Sequence, residues 1–195
     1  MKVIGVTGGV GCGKTALLKE ISERYNCRIL LADEAAGELE KKGQPCYDPL
    51  VGLLGAEILG PDGEIDPKKM AAVIFKDESL REKVNGIVHP AVRSRILSGI
   101  EEEKRKGKAD YFFLEAALLI ECGYLSVVDE MWYVYADADV RKKRLKKGRG
   151  YSDEKIRSIM ESQLSDEEYR KNSHFTIDNS GSLEDSMRQI EAHLK

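Results

Sequence analysis

The sequence predicts an α/β fold with a parallel sheet covered on both faces, and three observations predict it. A short β-branched segment at 3–7 (VIGVT) runs directly into a glycine-rich stretch and then into a helical pattern. Further short apolar segments follow, nearly all of them separated by helical patterns. These segments are apolar almost throughout rather than alternating, which is the mark of strands buried on both sides. Parallel strands need long crossovers, so strand–helix alternation and two-sided burial belong together.

Each element has its own justification. After the first strand, Ala16, Leu17, Leu18 and Ile21 fall at helical spacings within 15–25, and 28–32 (RILLA) reads as a second strand. The long interval 33–109 carries only helix signals, among them Asp66 followed by Pro67, an N-cap with the favoured first-turn proline, leading into Met70, Val73, Ile74 and Phe75. A helical insertion of this kind forms a wall over the strand ends, where open α/β sheets bind ligands, and marks the substrate region. Strands three and four are 110–114 (DYFFL) and 130–136 (EMWYVYA). A strongly basic helix at 137–147, a glycine-flanked break at 148–150 and a helix begun by Ser152 and running past Met160 come next. The fifth strand is 174–177 (HFTI), and Ser182 with Asp185 forms a capping box for a terminal helix reaching Leu194.

The 195 residues suit one domain: a core at 1–32, 109–140 and 172–195, a helical acceptor region at 33–108 and a lid at 141–171. Lys and Arg total 31 against 34 Asp and Glu, a net charge of −3, so no global positive field supports nucleic-acid or membrane-surface binding, and any anion site is local. Cys12, Cys27, Cys46 and Cys122 form no CxxC pair and His89, His174 and His193 lie far apart, which argues against zinc and against a disulfide framework. There is no run of about 18 apolar residues, and the glycine-broken N-terminus does not resemble a signal peptide. The expectation is a cytoplasmic protein with reduced thiols; oligomeric state is left open.

Residues 8–15, GGVGCGKT, fit G-x-x-x-x-G-K-[ST] in the required setting, after a buried strand and opening a helix. Gly8, Gly11 and Gly13 permit a backbone that turns successive N–H groups toward one phosphate, and the helix N-terminus beneath adds partial positive charge. Gly9, Val10, Cys12 and Ala16 complete the expected ATP-binding loop. Lys14 reaches the β and γ phosphates in this motif, and the Thr15 hydroxyl holds Mg²⁺. The alternative is a plain glycine-rich turn. A GTPase switch is disfavoured, because the one downstream DxxG is at 178–181 and no NKxD occurs. The helical insertion and the basic helix–break–helix suggest instead a phosphoryl-transfer enzyme whose lid closes over the donor phosphates.

With these segments in view the chain resembles the dephospho-coenzyme A kinase family, P-loop enzymes that phosphorylate the ribose 3′-hydroxyl of dephospho-CoA. The resemblance runs nearly end to end: VTGGVGCGKT, LADE at 31–34, IVHPAV at 87–92, ALLIE at 117–121, the basic helix with Arg144 and Arg149, SQLS at 162–165 and IDNSGSLE at 177–184. It departs at Ala117, Ile159 and His174, where family members commonly carry proline, arginine and aspartate. The resemblance implies a three-layer P-loop NTPase fold with a five-stranded parallel sheet, a helical CoA region and a lid. It implies ATP and dephospho-CoA as substrates, with Mg²⁺ as cofactor.

It also implies roles. Asp33, just past the second strand, meets the acceptor hydroxyl, where a carboxylate orients the hydroxyl and accepts its proton; the alternative is an N-cap for a helix at 34–42. Glu115, ending the third strand, takes the place of a Walker-B-like acid on Mg²⁺, or is a solvated strand-end carboxylate. Residues 141–149 hold seven basic side chains in nine positions; Arg141, Arg144 and Leu145 share one helical face, and most of the lysines read as solvated. Arg149 and Arg144 match lid positions that meet phosphate oxygens. His89, before Pro90, and Leu118 belong to the acceptor side, His89 otherwise capping or bending its helix; Asn179 matches a position near the donor adenine, or is a turn residue. Two alternatives stay open on residues alone: another nucleoside or nucleotide as acceptor, and a nucleotide-binding regulatory protein with weak transfer activity.

Overall fold

A computed structural model describes residues 1–75 and 77–195. The chain divides into two compact units, Met1–Leu30 with Glu102–Lys195, and Leu31–Glu101.

The first unit is built on the sheet. β1 (Lys2–Thr7), β2 (Cys27–Leu31), β3 (Tyr111–Glu115), β4 (Glu130–Tyr135) and β5 (Phe175–Asp178) make a five-stranded parallel sheet in the order β2-β3-β1-β4-β5. Each strand lies within a residue or so of its sequence expectation. β1 is central because it is the segment with no polar face: Val3, Ile4 and Val6 are fully buried between β3 and β4. The register pairs Val6 with Glu115, Thr7 with Tyr133 and Tyr135 with Asp178, so the strands' C-terminal ends line one edge of the sheet. The chain leaves β1 with β3 on one side and β4 on the other, the reversal point at which such sheets bind ligands. Edge-to-face aromatic pairs, Phe113 with Trp132 at 5.5 Å and Trp132 with Phe175 at 5.4 Å, tie three strands together.

Helices α1 (Lys14–Arg24), α6 (Ala138–Arg149), α7 (Asp153–Glu161), α8 (Asp166–Lys171) and α9 (Leu183–Leu194) complete the unit. α1 buries Leu17, Leu18 and Ile21, the spacing that made it readable. Local chemistry fixes the starts: Ser152 accepts from the Lys155 N–H, and Ser165 with Glu168 and Ser182 with Asp185 form capping boxes. α6 continues through Gly148, which was expected to break it, and stops at Gly150, where φ of 62° ends the helix.

The second unit is helical: α2 (Ala32–Leu39), α3 (Tyr47–Leu54), α4 (Pro67–Ile74) and α5 (Glu78–Lys106), whose last residues belong to the first unit. Asp66 caps α4 by accepting from the Lys68 and Lys69 N–H groups. One antiparallel bridge, Leu59 with Ile65, was not foreseen among the helix signals. Tyr47 donates its hydroxyl to the Gly63 carbonyl at 2.5 Å, closing this loop onto α3. α5 buries Val84, Val88, Val92, Ile96 and Ile100, a stripe repeating every fourth residue. His89 lies exposed in the middle of α5 beside Pro90, so it does not cap that helix.

Candidate active site

The glycine loop follows β1 and opens α1, and its conformation is one only glycine permits at three points. Gly8, Gly11 and Gly13 have φ of 142°, 85° and 93°. At Gly8 a Cβ would stand 2.4 Å from the carbonyl oxygen of Val134 in β4, so the loop rests directly on the sheet. α1 begins at Lys14, which turns its first N–H groups toward the loop; such a helix start attracts an anion.

Lys14 is almost wholly buried and fixed. Its ammonium donates to the Gly8 carbonyl at 2.7 Å and stands 3.5 Å from Glu115 Oε1, a carboxylate equally buried at the end of β3. A buried charge is costly unless it is paired, and Lys14 and Glu115 face each other as such a pair at the loop's mouth. Thr15, next along α1, is exposed. A hydroxyl and a carboxylate are hard oxygen donors of the kind Mg²⁺ takes, one or two at a time, with phosphate oxygens and water filling the remaining positions. Among the described residues there is no group of three or more His, Cys, Asp or Glu side chains able to hold a metal by themselves.

Two braces hold the loop from the α6 side. Arg144 donates to the carbonyls of Cys12 at 3.2 Å and Asn179 at 2.9 Å. Asn179, buried just after β5, donates its amide to the same Cys12 carbonyl at 2.7 Å and accepts the hydroxyl of fully buried Ser186 at 2.8 Å. The second brace was missed by the sequence reading. Arg141 donates through Nε to the Val10 carbonyl at 2.9 Å and through Nη2 to Gln163 Oε1 at 2.7 Å. That same oxygen accepts the Val10 N–H at 3.1 Å. The only signals for it were the helical face shared by Arg141 and Arg144 and the SQLS segment holding Gln163.

Behind this brace, Tyr133 donates its hydroxyl to Asp166 and stacks on Tyr169 with ring centroids 4.7 Å apart. Burial, then the Asp166 carboxylate, pushes the Tyr133 phenol well up; burial first, then the charge of Glu121, pushes Tyr169 up to about 12. Both rings are neutral packing elements that anchor α8 to β4.

The structure therefore gathers Gly8 to Ala16, Glu115, Arg144 and Asn179 around one loop. Arg149 is exposed at the end of α6, its guanidinium 5.9 Å from the Tyr151 ring centroid, and lowers the Tyr151 phenol by hydrogen bonding to it. Leu118 is half exposed in the turn after β3. Asp33 and His89 belong to the second unit and are exposed. Asp33 occupies the first turn of α2, whose N-cap position is Leu31, so it does not cap a helix at 34–42.

Among the described residues no helix is long and apolar enough to cross a membrane. The family model for dephospho-CoA kinase matches residues 2–185. Over 192 residues the chain is 36% identical to the dephospho-CoA kinase of Geobacillus kaustophilus, covering 98% of this chain and 94% of that one. Over 190 residues it is 37% identical to the dephospho-CoA kinase of Aquifex aeolicus, covering 97% and 94%. The crystal structure of TT1252 from Thermus thermophilus superposes with a TM-score of 0.80 at 30% identity, covering 99% of this chain and 96% of that one. A family-model match over residues 2–185, with relatives 36% and 37% identical across nearly the whole chain, places the protein in the dephospho-CoA kinase family.

Proposed function

We propose that this chain transfers the γ-phosphoryl group of ATP to the 3′-hydroxyl of dephospho-CoA, giving CoA and ADP. The observation that carries the reading is the Lys14 ammonium, buried at the head of α1 between the Gly8 carbonyl and Glu115 and preceded by a loop of turned N–H groups. Such a site has little covalent chemistry to perform; it positions the donor phosphates and neutralises charge as the terminal phosphoryl moves.

In this reading the N–H groups of the loop and of the first turn of α1 cradle the donor phosphates, and Lys14 reaches the bridging region between β and γ. Thr15 and Glu115 are the groups that would hold Mg²⁺, which supplies charge neutralisation on the phosphates when bound. Asp33 orients the acceptor hydroxyl and takes its proton as the oxygen bonds to phosphorus and ADP departs. His89 and Leu118 serve the acceptor side. Arg144 and Asn179 serve the nucleotide site by bracing the Cys12 carbonyl, and Arg149 adds charge from the end of α6. The residue roles divide the chain into a core at 1–32, 109–140 and 172–195, an acceptor region at 33–108 and a lid at 141–171. The work is cytoplasmic, where ATP is abundant and thiols stay reduced; Cys12, Cys27, Cys46 and Cys122 form no disulfide with one another.

The test is a panel assay: the protein with Mg-ATP and dephospho-CoA, AMP or adenosine, following ADP and phosphorylated product, with Lys14→Ala as the control for a contaminating kinase. CoA formed with dephospho-CoA and lost in Lys14→Ala is the expected result. Turnover of AMP or adenosine alone, or of none of the three, refutes the reading.

A further inference from the structure

Val10 is the residue of the loop whose backbone is gripped from both sides. Its carbonyl accepts from Arg141 Nε at 2.9 Å, its N–H donates to Gln163 Oε1 at 3.1 Å, and Arg141 Nη2 closes the ring by donating to that same oxygen at 2.7 Å. Two side chains from α6 and from the link between α7 and α8 thus fix both peptides that flank one loop residue. A second observation shows that the sequence makes room for them. Gly9 does not adopt positive φ, so its backbone does not require glycine. Yet a Cβ there would stand 2.2 Å from Arg141 Nη2 and 2.8 Å from Gln163 Oε1. The missing side chain at Gly9 is explained by the seat of the Arg141–Gln163 pair.

We infer that Arg141 and Gln163 are positioning residues for phosphoryl transfer, a clamp that fixes the Val10 peptides and through them the direction of the loop N–H groups beyond. The inference rests on the proposed transfer reaction for its kinetic consequence, though the clamp itself does not. Its effect falls on turnover rather than on nucleotide affinity. The ground-state nucleotide is held by many groups at once, including Lys14 and the α1 N-terminus, so a tilt of one peptide costs it little. Charge moving onto the transferring oxygens is stabilised by donors aimed in advance, and misaiming them by a fraction of an ångström is felt in the rate. The guanidinium is essential in shape as well as charge. Its Nε and Nη2 reach two acceptors from one plane, which a lysine ammonium does not reproduce.

The test uses Gln163→Ala, Arg141→Lys and the double variant in the whole protein. Gln163 is half exposed and its two hydrogen bonds are only part-buried, so water can take its place at Val10 and Arg141 and the fold is retained. Each single variant should lower kcat about tenfold to a hundredfold, with KM for ATP changed by no more than about threefold. The double variant should lose no more than the worse single one, because either change opens the same clamp. Independently of any substrate, the Val10 amide in ¹⁵N-valine-labelled protein should exchange at least about tenfold faster in Gln163→Ala, with other valine amides as reference. Unchanged Val10 exchange overturns the clamp. Unchanged kcat, a loss confined to KM, or multiplicative losses in the double variant overturn the positioning role. A wild-type protein inactive on dephospho-CoA counts against the proposed function alone, and the exchange measurement still decides the clamp.

Discussion

Asn179→Ala separates two uses of one side chain, a direct contact with the donor base or a brace beneath the phosphate loop. In the structure both halves of the amide are spent: Nδ2 on the Cys12 carbonyl at 2.7 Å, Oδ1 on the Ser186 hydroxyl at 2.8 Å. Removing it orphans neither partner. The Cys12 carbonyl keeps Arg144 at 3.2 Å, and Ser186 can turn its hydroxyl to the Asp178 carbonyl at 3.1 Å. The cost is therefore two net hydrogen bonds of about 1 kcal/mol each rather than the larger penalty of abandoned buried groups. The polar gap left by the amide admits water and adds little. A loss of about 2 kcal/mol in a chain of this size lowers the melting temperature by about 4–8 °C. Ser186→Ala removes the donor of the buried Asn179 Oδ1 and should cost about 1–3 kcal/mol, and the double variant should lose less than the sum of the two single ones. Thermal unfolding beside KM for ATP is the assay. A melting temperature held within about 1 °C together with a KM raised about tenfold or more would show that Asn179 reads the nucleotide and that the bracing argument is wrong.

Three further outcomes follow from the same structure. Asp33→Asn keeps the shape of the side chain and removes the proton acceptor, so kcat for dephospho-CoA should fall by about 10²–10⁴ while KM for ATP stays within about twofold; full turnover in steady-state assays removes the role. Gly8→Ala adds a Cβ 2.4 Å from the Val134 carbonyl at φ of 142°, and backbone strain with overpacking should destabilise by about 3 kcal/mol or more and abolish ATP binding, read by denaturant unfolding and titration calorimetry. Burial alone would raise the Glu130 carboxyl, but hydrogen bonds from Lys2, Trp132 and His193 outweigh it and hold the group at about 2, below its ordinary 4.5. Because the folded value is the lower one, this contribution is full above pH 4.5 and is lost as pH falls toward 2. After allowance for solvent screening it is worth about 2 kcal/mol. Glu130→Gln should be less stable than wild type at pH 7 and equal to it near pH 2 in urea unfolding; an equal gap at both pH values refutes the assignment.

What the sequence disclosed was whatever chemistry is local to the chain. The phosphate loop, the Asp66 cap before Pro67 and the Ser182–Asp185 box each satisfy backbone groups within a few residues, so their spacing is their signature. Strands β1, β3 and β4 were legible for a related reason, since burial on both faces leaves unbroken apolar runs, whereas the outer strands β2 and β5 are only partly covered and showed through their short apolar, β-branched segments. The braces were not, because they join residues 131, 153 and 167 positions apart and end on backbone atoms of Val10 and Cys12, which carry no side-chain code. The basic run at 141–149 shows where the two kinds of information meet. Helical phase alone sorts it: Arg141 and Arg144 lie with buried Leu145 on the inner face, while Lys142, Lys143, Lys146 and Lys147 are exposed. The phase names the arginines that face inward but not the atoms they meet. That depends on where β1 and β4 set the loop, so close that a Cβ at Gly8 would stand 2.4 Å from the Val134 carbonyl oxygen and one at Gly11 3.0 Å from Leu145 Cγ. Glycines in this loop thus do two separable jobs: Gly8, Gly11 and Gly13 permit its path, and Gly9 makes room for the side chains that hold that path in place.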